Sequence, residues 1–206
     1  MSKRPSSSRW QRRQAVDPFV RRARAEAWRS RAVFKLIEMH RRDRLLRPGM
    51  TVIDLGSAPG GWSQFASSVV GPAGRVIATD LLEIEPIPGV TFIRGDIRDE
   101  FILEEILHLA GPGGAGLVMS DMAPNISGNW SVDQPRAIHL VELALDLAEK
   151  ALPTGGTLVT KAFQGEGFDE VLGQARQRFR QVRIRKPQAS RSASREIYLV
   201  ARGYGL

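Results

Sequence analysis

The sequence contains no cysteine among its 206 residues. Disulfide bonds and metal sites built from thiolates are therefore excluded, and we expect no bound metal. No apolar run reaches the roughly eighteen residues that a membrane helix needs, and no hydrophobic signal region stands near the start. We therefore expect a soluble, cytoplasmic protein that does not bind a membrane.

Acidic residues are missing from the first 16 positions, and lysine is scarce, because arginine supplies 25 of the 30 basic side chains. Residues 1–48 hold 15 basic side chains against 4 acidic ones, residues 49–175 hold 6 against 17, and residues 176–206 hold 9 against 1. Guanidinium groups suit bidentate contacts to phosphate oxygens. Both basic ends therefore predict a large polyanion as the partner.

The first 30 residues are interpreted as a basic N-terminal arm, and residues 31–206 as one domain without internal repeats. The Arg- and Ser-rich start also has the composition of a transit peptide, although a solvated arm is the preferred interpretation. Trp10, Phe19 and Trp28 lie among the arginines of this arm. They have two interpretations: they stack on unpaired bases, or they pin the arm onto the core.

Apolar segments of two periodicities alternate along the chain, which is typical of an α/β fold. The predicted strands are 52–55, 76–79, 90–93, 117–120, 157–160, 181–185 and 195–201. The predicted helices are 18–28, 32–45, 61–70, 100–110, 134–152 and 168–178. Only a polar loop joins the last two strands, so they must form an antiparallel hairpin at the end of a mostly parallel seven-stranded sheet with helices on both faces.

A glycine-rich turn follows the first strand, in the sequence TVIDLGSAPGGWSQ from Thr51 to Gln64. Its glycines do not fit the dinucleotide spacing, and the lysine of a P-loop is missing. The remaining pattern, D-x-G-x-x-x-G-G, is typical of an S-adenosylmethionine pocket, in which glycines let the backbone approach the cofactor closely. We therefore predict a Rossmann-like methyltransferase domain.

Two acidic residues follow the next two strands. Asp80 stands where nucleotide sites place a carboxylate for the ribose hydroxyls, and Asp96 lies within reach of an adenine amino group. A capping acid after an ordinary turn would explain either one alone. The glycine turn, Asp80 and Asp96 follow three successive predicted strands at the same edge of the sheet, and this combination favours a cofactor pocket.

Candidate catalytic groups stand at the same edge of the predicted sheet. Asp121 ends the fourth strand and Lys161 follows the fifth, so the two lie on adjacent strands. A lone lysine at such a position usually extends to the surface, but Asp121 on the adjacent strand makes this interpretation of Lys161 less favoured. Glu196 begins the last strand. Spacing alone does not single out Lys35, which stands among apolar residues of the second predicted helix.

Several longer motifs carry a resemblance over nearly the whole chain, beginning at SSSRW (6–10). They are SRAVFKLIE, DLGSAPGGWSQ, SDMAPN, VELAL, KAFQGEGFDE and SREIYLVA. Together they resemble the bacterial FtsJ/RrmJ heat-shock methyltransferase family. That family 2′-O-methylates a uridine in the 23S RNA of the large ribosomal subunit, so the resemblance implies S-adenosyl-L-methionine as cofactor and 23S rRNA within the 50S subunit as partner, at a late stage of ribosome assembly.

The resemblance also implies site residues. The catalytic lysine-aspartate-lysine-glutamate tetrad of the family falls on Lys35, Asp121, Lys161 and Glu196, and its essential proton acceptor falls on Lys161. The cofactor residues of the family fall on Gly60, Trp62, Asp80, Asp96 and Asp121. A free lysine is almost wholly protonated at neutral pH, so two roles are open for Lys161: it takes the proton of the hydroxyl, or it orients the hydroxyl and stabilises the developing alkoxide.

Other activities are less compatible with these residues. Carbon-5 methylation of pyrimidines generally needs a cysteine, and amino-group methylation usually needs an aromatic clamp that Asp121-Met122-Ala123-Pro124-Asn125 lacks. A 2′-O-methyltransferase acting on transfer RNA or on messenger caps is an alternative, and so is a ribosome assembly factor without catalysis. The acids beside a predicted RNA site argue against the last alternative. A monomer is the default expectation.

Overall fold

The computed structural model describes residues 17–191 and 194–206. The helices are α1 Pro18–Ala25, α2 Val33–Asp43, α3 Gly61–Val70, α4 Glu100–Ala110, α5 Trp130–Ala151 and α6 Phe168–Arg178. The strands are β1 Thr51–Leu55, β2 Arg75–Asp80, β3 Val90–Arg94, β4 Leu117–Ser120, β5 Thr157–Phe163, β6 Phe179–Arg185 and β7 Glu196–Tyr204. The SSSRW motif, including Trp10, and the first 16 residues of the predicted arm lie outside the described residues.

The seven strands form one sheet in the order β3-β2-β1-β4-β5-β7-β6. The pairings among β1 to β5 are parallel, whereas β7 is antiparallel to both of its neighbours, β5 and β6. The predicted fold class is therefore confirmed, including the final antiparallel hairpin. None of the helices in the described ranges has the length and hydrophobicity needed to span a membrane.

Alternating side chains of the strands feed two hydrophobic cores, one on each face of the sheet. The larger core packs β1 and the strands beside it against α4, α5 and α6, with Ile53, Ile106 and Leu145 fully buried. The smaller core packs the opposite face against α2 and α3, around Val52 and Leu36. Helices therefore cover both faces, and the carboxyl ends of the parallel strands stay open for a site.

Several element boundaries differ from the sequence prediction by a few residues, and two of the differences lie next to the candidate site. Helix α5 begins at Trp130 rather than at Gln134, because the side chain of Asn129 caps it by accepting from the Ser131 N–H at 3.2 Å. Pro135 therefore lies inside the helix, although proline is more typical of a helix start. Strand β5 continues past Thr160 to Phe163 because β7 pairs with it over that length.

The described part of the predicted arm packs on the core. Asp17 caps α1 by accepting from the Phe19 N–H at 3.0 Å. The Phe19 ring lies 5.7 Å from the Phe34 ring, and the Trp28 ring lies 6.1 Å from the Phe65 ring. For Phe19 and Trp28 the packing interpretation is therefore confirmed, while the assignment of residues 1–30 to a separate arm stays a prediction.

A buried ion pair fastens α2 to the last strands. The side chain of Asp43, with no exposed surface, accepts from Arg185 Nε at 2.8 Å and from its terminal nitrogen at 2.6 Å. The Arg183 guanidinium lies farther away, 3.5 Å from Asp43, and is 45% exposed. Because α2 carries Lys35, this pair helps to fix the position of a candidate catalytic side chain.

We predict that Asp43→Ala lowers the free energy of unfolding by about 3 kcal/mol, because it leaves the Arg185 guanidinium partly buried without its counterion. Arg183→Ala is the matched control and should cost less than about 1 kcal/mol, because its contact is long and largely exposed. Urea unfolding at pH 7 measures both. Equal effects of the two variants would contradict the assignment of Asp43–Arg185 as the fastening pair.

Candidate active site

Lys161 and Asp121 meet at the carboxyl edge of the sheet. Asp121 directly follows β4, and Lys161 stands inside β5, one residue later than the end of the predicted strand. The Lys161 ammonium lies 2.8 Å from Asp121 Oδ1 and donates to the backbone oxygen of Asp121 at 2.7 Å. Only 7% of the Lys161 side chain is exposed, so this contact takes place away from bulk water.

Lys35 and Glu196 complete the group from two other elements. Lys35 reaches from α2 to the first residue of β7, and its ammonium lies 2.7 Å from Glu196 Oε1 and 3.9 Å from Asp121 Oδ1. Ser190 also donates to Glu196 Oε1, at 2.8 Å. The four predicted tetrad residues Lys35, Asp121, Lys161 and Glu196 therefore lie together, and we refer to them as the four-charge cluster.

Tyr198 lies at the centre of this cluster and was missed by the sequence analysis. Its hydroxyl donates to Asp121 Oδ1 at 2.5 Å and accepts from the Lys35 ammonium at 3.1 Å. The residue is fully buried and pairs in register with Lys161. The sequence did contain one signal for Tyr198. Residues two apart on a strand share a face, so Tyr198 is expected on the same face of β7 as the candidate residue Glu196.

The two carboxyl groups of the cluster are kept ionised by the lysines. Burial alone would raise the pKa of Asp121, but the ammonium groups of Lys161 and Lys35 outweigh it and hold that pKa below its usual value. Burial would likewise raise the pKa of Glu196, but the ammonium groups of Lys35 and, to a smaller extent, Lys161 outweigh burial and lower that pKa. Burial and the nearby carboxylates raise the pKa of Tyr198 well above its usual value, so its hydroxyl remains a donor.

The glycine turn between β1 and α3 has no room for side chains. Gly60 caps α3 with a φ of 103°, and a Cβ there would lie 2.8 Å from Ile87 Cδ1. A Cβ on Gly56, whose φ is 70°, would lie 2.5 Å from Met122 Cγ. The glycines therefore let the turn pack closely against Ile87 and Met122 and lead directly into the N-terminus of α3, whose backbone N–H groups favour the anionic or polar groups of a nucleotide-type cofactor.

Polar atoms without partners surround the same turn. Ser57 Oγ, Thr79 Oγ1 and Asp54 Oδ1 are buried and have no hydrogen-bond partner within the described residues. Buried polar atoms are normally satisfied, so an unsatisfied group of them at the ends of β1 and β2 fits a cofactor that supplies donors and acceptors. The residues present are therefore compatible with the predicted cofactor site.

The predicted cofactor acids stand on either side of this region. Asp80 accepts from the Ala58 N–H at 2.9 Å and from the Leu82 N–H at 2.8 Å, which fixes its carboxylate at the turn. Asp96 accepts from the Arg98 N–H at 3.0 Å, and the Arg98 guanidinium lowers the pKa of Asp96 through its hydrogen bonds. Asp80 keeps acceptor capacity for further donors, whereas both oxygens of Asp96 are engaged by the Arg98 guanidinium, which a cofactor would have to displace or share.

The Trp62 side chain points away from the turn and into the smaller core. It is 3% exposed, its indole N–H donates to the Ala32 carbonyl at 2.9 Å, and its ring lies 5.7 Å from the Tyr198 ring. Of the predicted cofactor residues, Trp62 can therefore contribute only its backbone at the start of α3. Its side chain instead links α3 to the tyrosine at the centre of the four-charge cluster.

Asp54 is a buried acid beneath the turn. Burial raises its pKa to about 7, the charges of Asp121 and Asp80 add to the effect, and the bond from Ser63 Oγ, at 2.5 Å, opposes it. The folded protein therefore keeps a proton that the unfolded chain has released above about pH 4. The stability that depends on neutral Asp54 is present at low pH and is lost as the pH rises towards about 7.

We predict that Asp54→Asn becomes more stable relative to the parent protein as the pH rises, by about 3 kcal/mol between pH 5 and pH 8. The asparagine cannot ionise, so the cost of charging the buried carboxyl disappears while other titrating groups cancel in the difference. Urea unfolding of both proteins across this range measures it. Parallel stability curves would show that Asp54 titrates as an exposed acid does.

Comparisons with known proteins agree with this geometry. The model of the FtsJ-like methyltransferase family matches residues 28–204. A protein of Hahella chejuensis, named ribosomal RNA large subunit methyltransferase E, is 55% identical over 204 residues, which is 99% of each chain.

Two solved structures are similar as well. A Plasmodium falciparum protein described as a ribosomal RNA methyltransferase has a TM-score of 0.75 at 28% identity, over 86% of this chain and 98% of that one. A Clostridium thermocellum protein described as an rRNA-methylase has a TM-score of 0.55 at 19% identity, over 82% of this chain and 97% of that one, and shows the fold alone. Because the family model spans most of the sequence and the Hahella relative matches nearly all of it, the chain belongs to the FtsJ-like methyltransferase family.

Proposed function

We propose that this protein transfers a methyl group from S-adenosyl-L-methionine to the 2′-hydroxyl of a uridine in 23S ribosomal RNA, on the assembled 50S subunit. The observation that carries the proposal is the buried four-charge cluster beside the glycine turn, in a chain of the FtsJ-like methyltransferase family. The 55% identical relative is named for methylation of large-subunit ribosomal RNA, which supports this substrate.

The cofactor would be held at the turn by residues with distinct tasks. Gly60 and the backbone of Trp62 would contact it at the start of α3, Asp80 would accept from its ribose hydroxyls, and Asp96 would accept from its adenine amino group. Asp121 would be the member of the four-charge cluster that contacts the cofactor. When bound, the cofactor supplies an electrophilic methyl group, so the residues of this chain have to position the accepting oxygen and manage its proton.

Lys161 is the residue proposed to act on the 2′-hydroxyl. Two of its three donor positions are directed at Asp121, which leaves one for the substrate oxygen. If it first releases a proton to solvent, the neutral amine acts as a base and takes the proton from the 2′-oxygen; as an ammonium it orients the hydroxyl and stabilises the charge that develops on that oxygen. In both roles, Asp121 holds the nitrogen in place.

Lys35, Glu196 and Tyr198 are proposed to fix the position and charge of this pair. Lys35 balances Glu196 directly and contacts Asp121 through the Tyr198 hydroxyl. Because the cluster combines two cations with two anions, its net charge is zero before substrate binds. In this neutral state both lysines are protonated, so Lys161 has to release a proton to solvent before it takes the proton of the hydroxyl.

The basic ends of the chain converge beside this cluster, which supports RNA as substrate. Helix α2 of the N-terminal basic segment is joined to β6 by Asp43–Arg185, and Glu38 accepts from the Gln188 N–H at 2.7 Å. Arg31 donates to the Ala189 carbonyl in the loop before β7. An RNA strand that reaches Lys161 would therefore lie along an arginine-rich surface. We further propose that the protein acts as a cytoplasmic monomer.

We predict that Lys161→Ala abolishes methyl transfer and leaves the affinity for S-adenosyl-L-methionine nearly unchanged, because Lys161 contacts Asp121 rather than the glycine turn. Lys150→Ala, which removes an exposed lysine near the end of α5, is the matched control and should keep full activity. Single-turnover transfer and calorimetric binding of the cofactor measure the two properties. A parallel loss of cofactor binding would refute the assignment of Lys161 to the proton-transfer step.

The proposed function is tested by transfer of labelled methyl groups to large ribosomal subunits that lack the modification, with the product nucleoside identified after digestion. We expect 2′-O-methyluridine from the parent protein and none from Lys161→Ala. Transfer to transfer RNA instead would replace the substrate and keep the mechanism. Absence of transfer to any RNA, with the cofactor still bound, would favour an assembly factor without catalysis.

A further inference from the structure

Trp130 is a large aromatic residue that the protein buries only in part. It is the first residue of α5, and 38% of its surface is exposed. The apolar residues Ile126 and Val132 beside it in the chain are exposed as well, by 63% and 38%. The exposed apolar surface therefore lies where the chain leaves β4 and enters α5, which is the segment that begins with Asp121.

An arginine lies over the Trp130 ring. The central carbon of the Arg195 guanidinium is 4.8 Å from the ring centroid, and Arg195 is itself exposed. The adjacent acid, Glu196, is paired with Lys35, and within the described residues no ion pair neutralises Arg195. An indole and a planar cation in this arrangement offer both a surface for stacking and a charge for phosphate.

The register of the sheet places this pair beside the four-charge cluster. Phe163 pairs with Glu196, and Lys161 pairs with Tyr198. The Phe163 and Trp130 rings are 6.4 Å apart, with their planes at 75°. Because Lys161 and Phe163 are two positions apart on β5, their side chains share a face about 7 Å apart. The Phe163 side chain therefore lies between the Trp130 indole and Lys161, the lysine proposed to act on the hydroxyl.

The backbone around the pair holds it in position. The Gln164 N–H donates to the Arg195 carbonyl at 3.2 Å, which joins the end of β5 to the residue before β7. A Cβ on Gly165 would lie 3.2 Å from Trp130 Cζ2, so the edge of the indole passes close over the Gly165 backbone. Trp130 and Arg195 are thus attached to the same strand ends that carry Lys161 and Glu196.

We infer that Trp130 and Arg195 form a platform on which a nucleobase of the RNA substrate stacks while the ribose of the methylated nucleotide reaches Lys161. The inference rests on the proposed function. A 2′-hydroxyl inside a base-paired helix is difficult to align with a methyl donor, and proteins hold unpaired nucleotides by stacking their bases on aromatic rings and guanidinium planes. Stacking is tolerant of base identity, so the platform positions the nucleotide without reading it.

The test compares variants of Trp130 in methyl transfer to large ribosomal subunits lacking the modification. Trp130→Ala should lower kcat/KM by roughly 5- to 150-fold, the range expected when one stacked base is lost. Trp130→Phe should restore most of the activity, whereas Trp130→Leu, which keeps apolar bulk without a ring, should not. Arg195→Ala should also raise KM. Leu206→Ala removes an exposed apolar side chain at the opposite edge of the sheet and should leave kcat/KM unchanged.

The affinity for S-adenosyl-L-methionine and the thermal unfolding temperature are measured on the same variants and should stay unchanged. An active parent protein with an equally active Trp130→Ala variant would overturn the inference alone. Recovery by leucine as complete as that by phenylalanine would overturn it too, because the side chain would then only pack the start of α5. A parent protein that methylates no RNA would overturn the proposed function, and this inference with it.

Discussion

Charge cancellation within the four-charge cluster is the constraint on which the site depends. Two ammonium groups and two carboxylates lie at the sheet edge with their side chains at most 18% exposed, and each cation stands within 2.8 Å of an anion. Burying one of these charges without its partner would cost several kcal/mol, so the four positions have to be filled together. Helix α2 and strands β4, β5 and β7 are consequently held in one arrangement by the chemistry of the site.

Ion pairs of this kind are a poor means of stabilising a protein, because desolvation offsets most of their attraction. The hydrophobic cores on the two faces of the sheet perform that task. The polar groups at the edge include Asp54, with its raised pKa, and the unsatisfied Ser57 hydroxyl, and they reduce the stability of the fold. They also place polar atoms where a cofactor could bind. The proposed function, rather than folding, would account for their presence.

Local features were predictable from the sequence, and features that depend on register were not. The glycine turn, Asp80 and Asp121 follow strands whose apolar runs are evident, so their common edge could be inferred. Lys35 stands between Phe34 and Leu36 and looks like part of a core helix, so only the family resemblance selected it.

The strand period places Tyr198 on the same face as Glu196, but its contacts with Asp121 and Lys35 depend on the pairing of β7 with β5, which no local pattern specifies. The same pairing extends β5 beyond its apolar run, which is why Lys161 lies inside the strand rather than after it. Helix α5 starts early for a different and local reason, because the Asn129 side chain caps it and outweighs the usual preference of proline for a helix start. For β5 and Tyr198 tertiary contacts override or extend the local sequence signal, whereas for α5 a local cap was overlooked.

The placement of Lys35 has a consequence for the order in which the protein matures during synthesis. Its partner Glu196 and the fastening residue Arg185 both belong to the last strands, far along the chain from α2. A nascent chain that has produced the glycine turn and most of the parallel sheet can offer Lys35 only the longer contact to Asp121, at 3.9 Å, and not its nearer partner Glu196. The complete four-charge cluster is thus assembled only at the end of translation, when the reversed strand β7 inserts between β5 and β6.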